Sequence, residues 1–318
     1  MNTAKSVKAD RDRGFFYIPP RKRRGLCLFL ASVPFLVFFF MFSYVPLFGW
    51  IYTVYDYRLG LPFLDLTQAR FVGLGNFQKI IAESNEVLRV LRNTLIMSFL
   101  NLLFSPLPII FAILLNEVRR SKLRRIIQTI STFPHFISWI IVFSLAHAMF
   151  SPSGLVTELL LPFGIGSQMG LIGDINSVWP FQLALNIWKT LGWSAIIYIA
   201  TISGIDSELY DAAMVDGANR FQSTIYVTIP GIIPTYLVLL LLAISNILTN
   251  GFEQYFMFYN SLVAERIEVL DYYVYRMGII VGDFSFSITI GMLRSVISIF
   301  LLFFVNYLSK RLRGQSLI

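Results

Sequence analysis

The sequence is poor in the residues from which catalytic and metal sites are built. It contains one cysteine, Cys27, and two histidines, His135 and His147, in 318 residues. A single cysteine excludes an intramolecular disulfide, and two histidines within one apolar segment predict interior packing rather than a metal site. The sequence also shows no converging set of acid, base and nucleophile. We therefore expect neither catalysis nor metal binding from this chain.

Charge is the second scarcity. Charged residues make up 14% of the chain and hydrophobic residues 56%, whereas soluble proteins are about one quarter charged. The net charge of +8 raises the question of nucleic-acid binding, but the basic residues flank apolar runs, which favours a membrane topology. The composition predicts an integral membrane protein in contact with the lipid bilayer and without a nucleic-acid partner.

Six apolar segments are long enough to cross a bilayer as helices, which takes about 20 residues. They cover residues 25–55, 93–116, 126–150, 180–203, 229–249 and 284–308. The basic start resembles a signal peptide, but the run after it exceeds a signal core of about 7 to 15 residues. We expect an all-α membrane fold with a basic N-terminal segment 1–24, a six-helix domain 25–309 and a tail 310–318.

The basic residues are distributed unevenly between the two sides of this arrangement. Of the 26 Lys and Arg residues, 17 fall in the N-terminal segment, the 116–125 turn, the 203–228 loop and the tail. Seven fall in the opposite connections, and Lys189 and Arg294 lie within spans. By the positive-inside rule, both termini and the 203–228 loop lie in the cytoplasm.

The loop at 206–230 is too polar to lie in lipid. Asp206 is suited to cap a helix start, and Gly217 to end that helix with a positive φ. A second short helix is predicted from about Asn219. A lipid-surface helix is the plainer alternative, but four acidic residues against one arginine fit poorly with an anionic leaflet. We expect a protein partner instead.

A spaced motif in this loop resembles the permease subunits of binding-protein-dependent ABC importers. Their pattern is Glu-Ala-Ala, three residues, Gly, nine residues, Ile-x-Leu-Pro. Here Asp211, Ala212 and Ala213 are followed by Gly217 and then by Val-Thr-Ile-Pro ending at Pro230, with every spacing kept. The substitutions, Asp for Glu, Val for Ile and Ile for Leu, are conservative. Stretches at 71–77, 92–99 and 250–260 are similar to the sugar-importing branch, in particular to permeases for polysaccharide fragments.

The resemblance implies a type I ABC importer permease fold in the cytoplasmic (inner) membrane of a bacterium. Asp211, Ala212, Ala213, Gly217 and Pro230 then belong to a coupling helix and its loop, which dock on a separate ATPase. It also implies a second permease subunit, two ATP-binding subunits, an extracytoplasmic solute-binding protein and an oligosaccharide substrate. No G-x-x-x-x-G-K-[ST] motif occurs in the chain, so we expect ATP to be bound by the partner subunits and no cofactor here.

Two charged residues lie near the middle of predicted spans, Lys189 and Arg294, where a charge is costly and marks a cavity or a partner contact. The predicted spans contain no acidic residue in their cores. A partner carboxylate is therefore expected either from the second permease subunit or from the substrate. The predicted substrate pathway comprises Asn186, Trp188, Lys189, Trp193, Asn246, Asn250, Glu253 and Arg294. These residues favour an acidic, uronate-containing oligosaccharide such as an alginate or pectin fragment, with a neutral oligosaccharide as the alternative.

Two hypotheses of other classes are also open at this point. A stand-alone secondary transporter would use Lys189 and Arg294 as substrate or proton groups, but the sequence lacks the expected inverted repeat. A membrane scaffold would not need charged residues at mid-depth. The importer permease is favoured over both.

Overall fold

The computed structural model describes residues 20–57, 69–164 and 169–313. Six of its helical stretches are long and apolar enough to cross a membrane, which confirms the predicted all-α membrane fold. Among the described residues they are Cys27–Val54, Ser84–Asn116, Trp139–Leu159, Val178–Ser203, Arg220–Ser245 and Phe284–Arg311.

The described residues up to Tyr52 form a unit of their own. Its helix α1 (Pro20–Ser43) is followed by a 3-10 stretch that begins at Val45, one residue before Pro46. The apolar side chains described in α1 are exposed, for example Phe35 at 76%. Of the predicted basic segment 1–24, residues 1–19 lie outside the described residues.

The second unit opens with a two-residue antiparallel pair, β1 (Tyr55–Asp56) and β2 (Arg70–Phe71). A tight turn follows, in which Gly73 has a φ of 56°, a conformation that glycine adopts at little cost. The buried Asn76 then donates a hydrogen bond of 2.9 Å to the Thr53 carbonyl. The stretch at 71–77 is therefore a structural anchor for the segment after residue 52.

Fifteen further helices of the described residues follow, eight of them short. They are α2 (Gly75–Ala82), α3 (Ser84–Leu103), α4 (Leu107–Asn116), α5 (Ser121–Thr132), α6 (Trp139–Phe150), α7 (Leu155–Leu160), α8 (Gly170–Gly173), α9 (Val178–Ser203), α10 (Ser207–Val215), α11 (Arg220–Ser223), α12 (Ile229–Ser245), α13 (Phe252–Phe258), α14 (Ala264–Ile267), α15 (Leu270–Tyr275) and, last and longest, α16 (Phe284–Arg313).

Helix α9 lies at the centre of this unit and packs against α4, α5 and α12, while α12 also packs against α16. The buried residues Ala112, Ala195, Tyr198 and Ile232 form one core between α4, α9 and α12. A second core joins α3, α15 and α16.

The helix boundaries differ from the predicted ones most clearly in the third span. The single segment predicted at 126–150 is two helices, α5 and α6, separated by a 3-10 turn (Phe133–Phe136) and by extended backbone at Ile137 and Ser138. Proline at position 134 cannot donate the helical hydrogen bond, which is one local cause of the break. The second and fifth spans begin earlier than predicted, at Ser84 and Arg220.

An ion-pair network connects α3 with Glu268, which lies between α14 and α15, and with Arg276, which directly follows α15. The buried Glu268 accepts hydrogen bonds from Arg89 at 2.7 Å and from Arg276 at 2.5 Å, and Arg276 also pairs with Glu86 at 2.6 Å. Burial disfavours the charged form of Arg276, but the hydrogen bonds and charges of Glu268 and Glu86 outweigh it and raise the pKa of Arg276. Arg276 therefore stays charged, and the ion pairs hold these elements together.

Candidate functional site

The polar loop folds as two short helices joined at a glycine. Asp206 caps α10 by accepting a hydrogen bond of 3.0 Å from the Glu208 amide, and Gly217 follows the helix with a φ of 81°. Asn219 and Gln222 form a reciprocal capping box at the start of α11. The predicted cap, the predicted positive φ and the predicted second helix are all confirmed.

The residues of the spaced motif lie at the surface of this loop. Asp211, Ala212, Gly217 and Pro230 are exposed, and Ala213 is half-buried. Large apolar side chains beside them are also exposed, and Val215 is the most exposed at 88%; the others are Met214, Phe221 and Tyr226. Exposed apolar side chains on a polar loop are typical of a protein-binding surface.

Two contacts connect the loop with the spans. Tyr210 lies 3.0 Å from Thr228 through their hydroxyl oxygens, and Arg220 lies 3.8 Å from Glu117 at the end of α4. The chain from Arg220 is helical without interruption to Ser245, through a π-helical turn at Thr224–Thr228. The loop is therefore connected directly with α12 and α4.

A cavity of about 450 Å³ opens between α3, α4, α9 and α12. Its polar lining consists of amide and hydroxyl side chains: Asn101, Ser105, Asn186, Thr190, Ser194, Tyr198 and Tyr236. None of its lining residues is charged, among those that the structure describes. Nor do three His, Cys, Asp or Glu side chains of the described residues cluster as metal ligands would. The other lining residues are apolar or aromatic, among them Phe104, Trp193 and Leu239. The cavity is therefore suited to an uncharged molecule with both hydroxyl groups and apolar faces, such as a sugar.

The structure places two of the predicted pathway residues, Asn186 and Trp193, in this cavity. Asn186 donates a hydrogen bond of 2.9 Å to Asn101. Trp188 instead lines a separate, mostly apolar cavity of about 670 Å³ between α6 and α9. Asn246 and Glu253 are exposed beyond the end of α12. The predicted residues therefore do not form one continuous lining.

Lys189 has a role that neither sequence-based alternative included. Its side chain is buried near the middle of α9, and Nζ donates hydrogen bonds to the carbonyl oxygens of Pro134 (3.2 Å), His135 (2.9 Å) and Ile137. These carbonyls lie in the break between α5 and α6. Non-helical backbone at membrane depth must have its polar groups paired, so Lys189 closes the break. The expected carboxylate or substrate partner is thus corrected to backbone carbonyls.

Arg294 also finds a partner that the sequence-based reasoning excluded. It forms an ion pair with Asp271 of α15, so the expectation that its partner must come from outside this chain was wrong. Asp271 escaped notice because it lies between predicted spans rather than within one. Its other oxygen accepts hydrogen bonds from the amides of Asn250 (2.8 Å) and Gly251 (3.0 Å).

Asn250, a predicted pathway residue, belongs to this same structural cluster. Its side-chain amide donates to the Thr94 carbonyl at 2.9 Å, and its Oδ1 lies 2.5 Å from the Ser98 hydroxyl. The turn at 246–251 is therefore fastened to α3 and α15. These contacts leave Asn186, Trp193, Asn246 and Glu253 as the predicted residues available to a substrate.

The polar residues missed in the cavity lie inside apolar runs. Ser105, Tyr198 and Tyr236 each interrupt a hydrophobic segment, and the Ser105 and Tyr236 hydroxyls lie 3.1 Å apart. Isolated hydroxyls in a span are the one signal in the sequence that could have pointed to them. Their convergence depends on three helices and is not visible in any one segment.

Comparisons with known proteins agree with this architecture. The family model described as "Binding-protein-dependent transport system inner membrane component" matches residues 104–314. Protein LplB of Bacillus subtilis (strain 168) is 37% identical over 93% of this chain and 92% of its own length. The polygalacturonan/rhamnogalacturonan transport system permease protein YteP of the same strain is 36% identical over the whole of both chains.

Solved structures of a bacterial ABC transporter for alginate are also similar. One, described as involved in import of the acidic polysaccharide alginate, has a chain that is 32% identical with a TM-score of 0.81. The match covers 92% of this chain and 97% of that one. A second structure of such a transporter, in complex with an alginate pentasaccharide-bound periplasmic protein, matches with the same TM-score at 31% identity.

Proposed function

Because this chain belongs to the family of binding-protein-dependent transport system inner membrane components, and is a permease of the sugar- and oligosaccharide-importing ABC branch, we propose that it imports acidic oligosaccharides by alternating access. In this proposal it pairs with a second permease subunit and with two ATP-binding subunits. A solute-binding protein delivers the substrate. Both termini and the 206–230 loop face the cytoplasm.

The observation that carries the coupling role is the exposed loop of α10 and α11. It presents Met214, Val215 and Phe221, each at least 70% exposed, next to the acidic side of α10. Apolar anchors of this kind, when buried in a pocket of a partner, supply most of the binding energy of an interface. Docked in an ATPase subunit, the loop would transmit nucleotide-driven closure through Tyr210 and Arg220 to the spans.

A change of Val215 to Asp tests this docking. At 88% exposure Val215 packs little within the subunit, so Val215→Asp should leave insertion and thermal stability unchanged. It should abolish ATP-driven uptake in proteoliposomes, because a charge would be buried at the interface. Asp211→Lys should act in the same direction by reversing charge at the docking face.

A matched pair of glycines separates docking from backbone strain. Gly217 and Gly282 both have φ near 80°, and an added Cβ would meet nothing within 4 Å at either site. Alanine at either position costs about 1–2 kcal/mol of strain. We expect Gly217→Ala to impair coupling and Gly282→Ala to spare it. Full transport by Val215→Asp and Gly217→Ala would refute the coupling assignment.

Two of the similar proteins support the preference for an acidic oligosaccharide. A polygalacturonan/rhamnogalacturonan permease and an alginate importer both handle uronate polymers. Lys189 and Arg294 do not contribute, since both are occupied within this chain. Charge recognition would come from the solute-binding protein and the second permease subunit, while Asn186, Thr190 and Tyr236 contact sugar hydroxyls.

Neutral oligosaccharides are the second candidate, favoured by the uncharged cavity and by the exposed Glu253. The deciding measurement is ATPase stimulation of the reconstituted complex by oligogalacturonate and by neutral oligosaccharides of the same length. Selective stimulation by oligogalacturonate supports the acidic preference. Equal or stronger stimulation by the neutral series would replace it.

A further inference from the structure

A row of five aromatic rings runs along α13 and α15, outside the candidate spans. Neighbouring ring centroids are 5.0 Å apart for Phe252 and Phe256, 5.4 Å for Phe256 and Tyr275, and 4.5 Å for Tyr259 and Tyr272. Tyr272 and Tyr275 lie 6.4 Å apart and connect the two ends of the row. Phe252 and Phe256 are four residues apart and lie on one side of α13, and Tyr259 directly follows the end of this helix.

The row is not a fully buried core. Tyr272 is 4% exposed and anchors it, but Phe252, Phe256, Tyr259 and Tyr275 are only partly buried against the neighbouring cluster. Among the described residues, no hydrogen bond involves the Tyr259 or Tyr275 hydroxyl. The accessible row therefore combines aromatic surface with hydroxyl groups that are free to bind a ligand.

Along the chain, the row follows the helix that forms one wall of the uncharged cavity. Helix α12 lines the cavity with Tyr236, Leu239 and Ala243, and it ends at Ser245. The fastened turn at 246–251 leads directly into Phe252. Asn246, the first residue of this turn, and Glu253, two residues after its end, have exposed side chains. The aromatic row and the cavity thus follow one another along the same stretch of chain.

We propose that this aromatic row is a stacking surface for the oligosaccharide on its way to the cavity. The C–H groups on one face of a pyranose ring form an apolar surface that packs against the face of an aromatic ring. The Tyr259 and Tyr275 hydroxyls and the Glu253 carboxylate accept or donate hydrogen bonds to the sugar hydroxyls. The proposal rests on the importer function proposed above and adds a binding site to it. Because stacking is insensitive to charge, it applies to acidic and neutral oligosaccharides alike.

The test uses Phe256→Ala and Tyr275→Ala in the complete reconstituted importer. Oligogalacturonate, alginate oligosaccharides and neutral oligosaccharides serve as probes. The readouts are the probe concentration that half-stimulates the ATPase, the basal ATPase rate and the thermal midpoint of the complex. We expect each alanine variant to raise the half-stimulating concentration about tenfold, as loss of one stacking partner does, with basal ATPase unchanged.

Three controls accompany these variants. Phe256→Tyr and Tyr275→Phe keep a ring and should stay within a few-fold of the unchanged protein. Phe300→Ala removes an equally aromatic side chain, 68% exposed on α16 and stacked on Phe304. It should not alter the half-stimulating concentration.

The other outcomes each overturn the stacking surface. A lower thermal midpoint with an unchanged half-stimulating concentration would make the row internal packing. Loss of co-purification with the second permease subunit, again without a change in that concentration, would make it a subunit interface. If no oligosaccharide stimulated the ATPase of the importer without substitutions, the importer function itself would be overturned, and the stacking surface with it.

Discussion

Two breaks between consecutive helices are each bridged by a charged side chain, and the two side chains have opposite charge. The first break, between α5 and α6, presents the carbonyl oxygens of Pro134, His135 and Ile137 to the ammonium group of Lys189. The second, between α12 and α13, presents the amide groups of Asn250 and Gly251 to the carboxylate of Asp271. In each case the side chain comes from a neighbouring helix.

The difference follows from the polarity of the backbone. Carbonyl groups after a helix carry partial negative charge, and amide groups before a helix carry partial positive charge. A lysine therefore suits the first break and an aspartate suits the second. Lys189 is thus explained by backbone carbonyls of this chain and Arg294 by the Asp271 carboxylate, although charges at membrane depth are by default ascribed to a substrate.

The two breaks also differ in how many contacts hold them. At the first, one buried side chain satisfies three carbonyls, with the Trp139 ring 5.4 Å from Nζ. At the second, Asp271 shares the task with Arg294, Ser98 and the side chain of Asn250. The first break should consequently be more sensitive to a single substitution.

The largest effect is expected from Lys189→Met. A buried carbonyl without a partner costs about 1–3 kcal/mol, and this change leaves two of them, at His135 and Ile137, because the Pro134 carbonyl still accepts from the Ile137 amide. We expect the free energy of unfolding to fall by about 2–6 kcal/mol, measured as a large drop in thermal midpoint or in the amount of inserted protein. Lys189→Arg keeps a cation and should lose less. If Lys189→Met had normal stability and lost only the transport of anionic substrates, Lys189 would instead be a substrate-binding residue.

A smaller effect is expected from Asp271→Ala, because water reaches the exposed Gly251 and other contacts still hold the turn. We expect a loss of about 2–3 kcal/mol in the free energy of unfolding. Arg294→Met alone should also destabilise the subunit. The double variant should be less destabilised than the sum of the two single variants, as for a contacting pair. Additive losses would show that Asp271 and Arg294 act independently.

The smallest effect is expected from Ser98→Ala. Its hydroxyl lies 2.5 Å from the Ile247 carbonyl and from Asn250 Oδ1, and it can donate to one of them. Loss of one such bond costs about 1 kcal/mol, visible as a shift of a few degrees at most in the thermal midpoint. Ser144→Ala is the matched control, since the Ser144 hydroxyl bonds only within its own exposed helix turn. Equal effects of the two changes would remove Ser98 from the account of the second break.

The break between α5 and α6 was not predicted from the sequence, because it depends on the close packing of α9 against the end of α5. An added Cβ at Gly192 would lie 2.2 Å from the Ser131 carbonyl oxygen, so only glycine permits this approach. Hydropathy did not clearly indicate the break, because residues 126–150 contain no Lys, Arg, Asp or Glu and predict one continuous span. Pro134 was visible in the sequence, but a proline inside a span is compatible with a bend as well as with a break.

The sequence by itself determined the family, the number of spans and the two-helix form of the 206–230 loop. Spans are a property of local composition, and the loop is a property of spacing from Asp211 to Pro230, including the cap at Asp206 and the positive φ at Gly217. These features depend on residues near one another in the chain. They could be predicted because backbone preferences and membrane partition act locally.

Only the tertiary structure decided what the charged and polar residues within the membrane domain do. Lys189 meets carbonyls 52 to 55 positions away, and Arg294 meets an aspartate 23 positions before it on another helix. The uncharged cavity likewise needs α3, α4, α9 and α12 together. A buried charge is stabilised by whichever oppositely polarised group lies within hydrogen-bond distance, and that distance is set by helix packing rather than by position in the sequence.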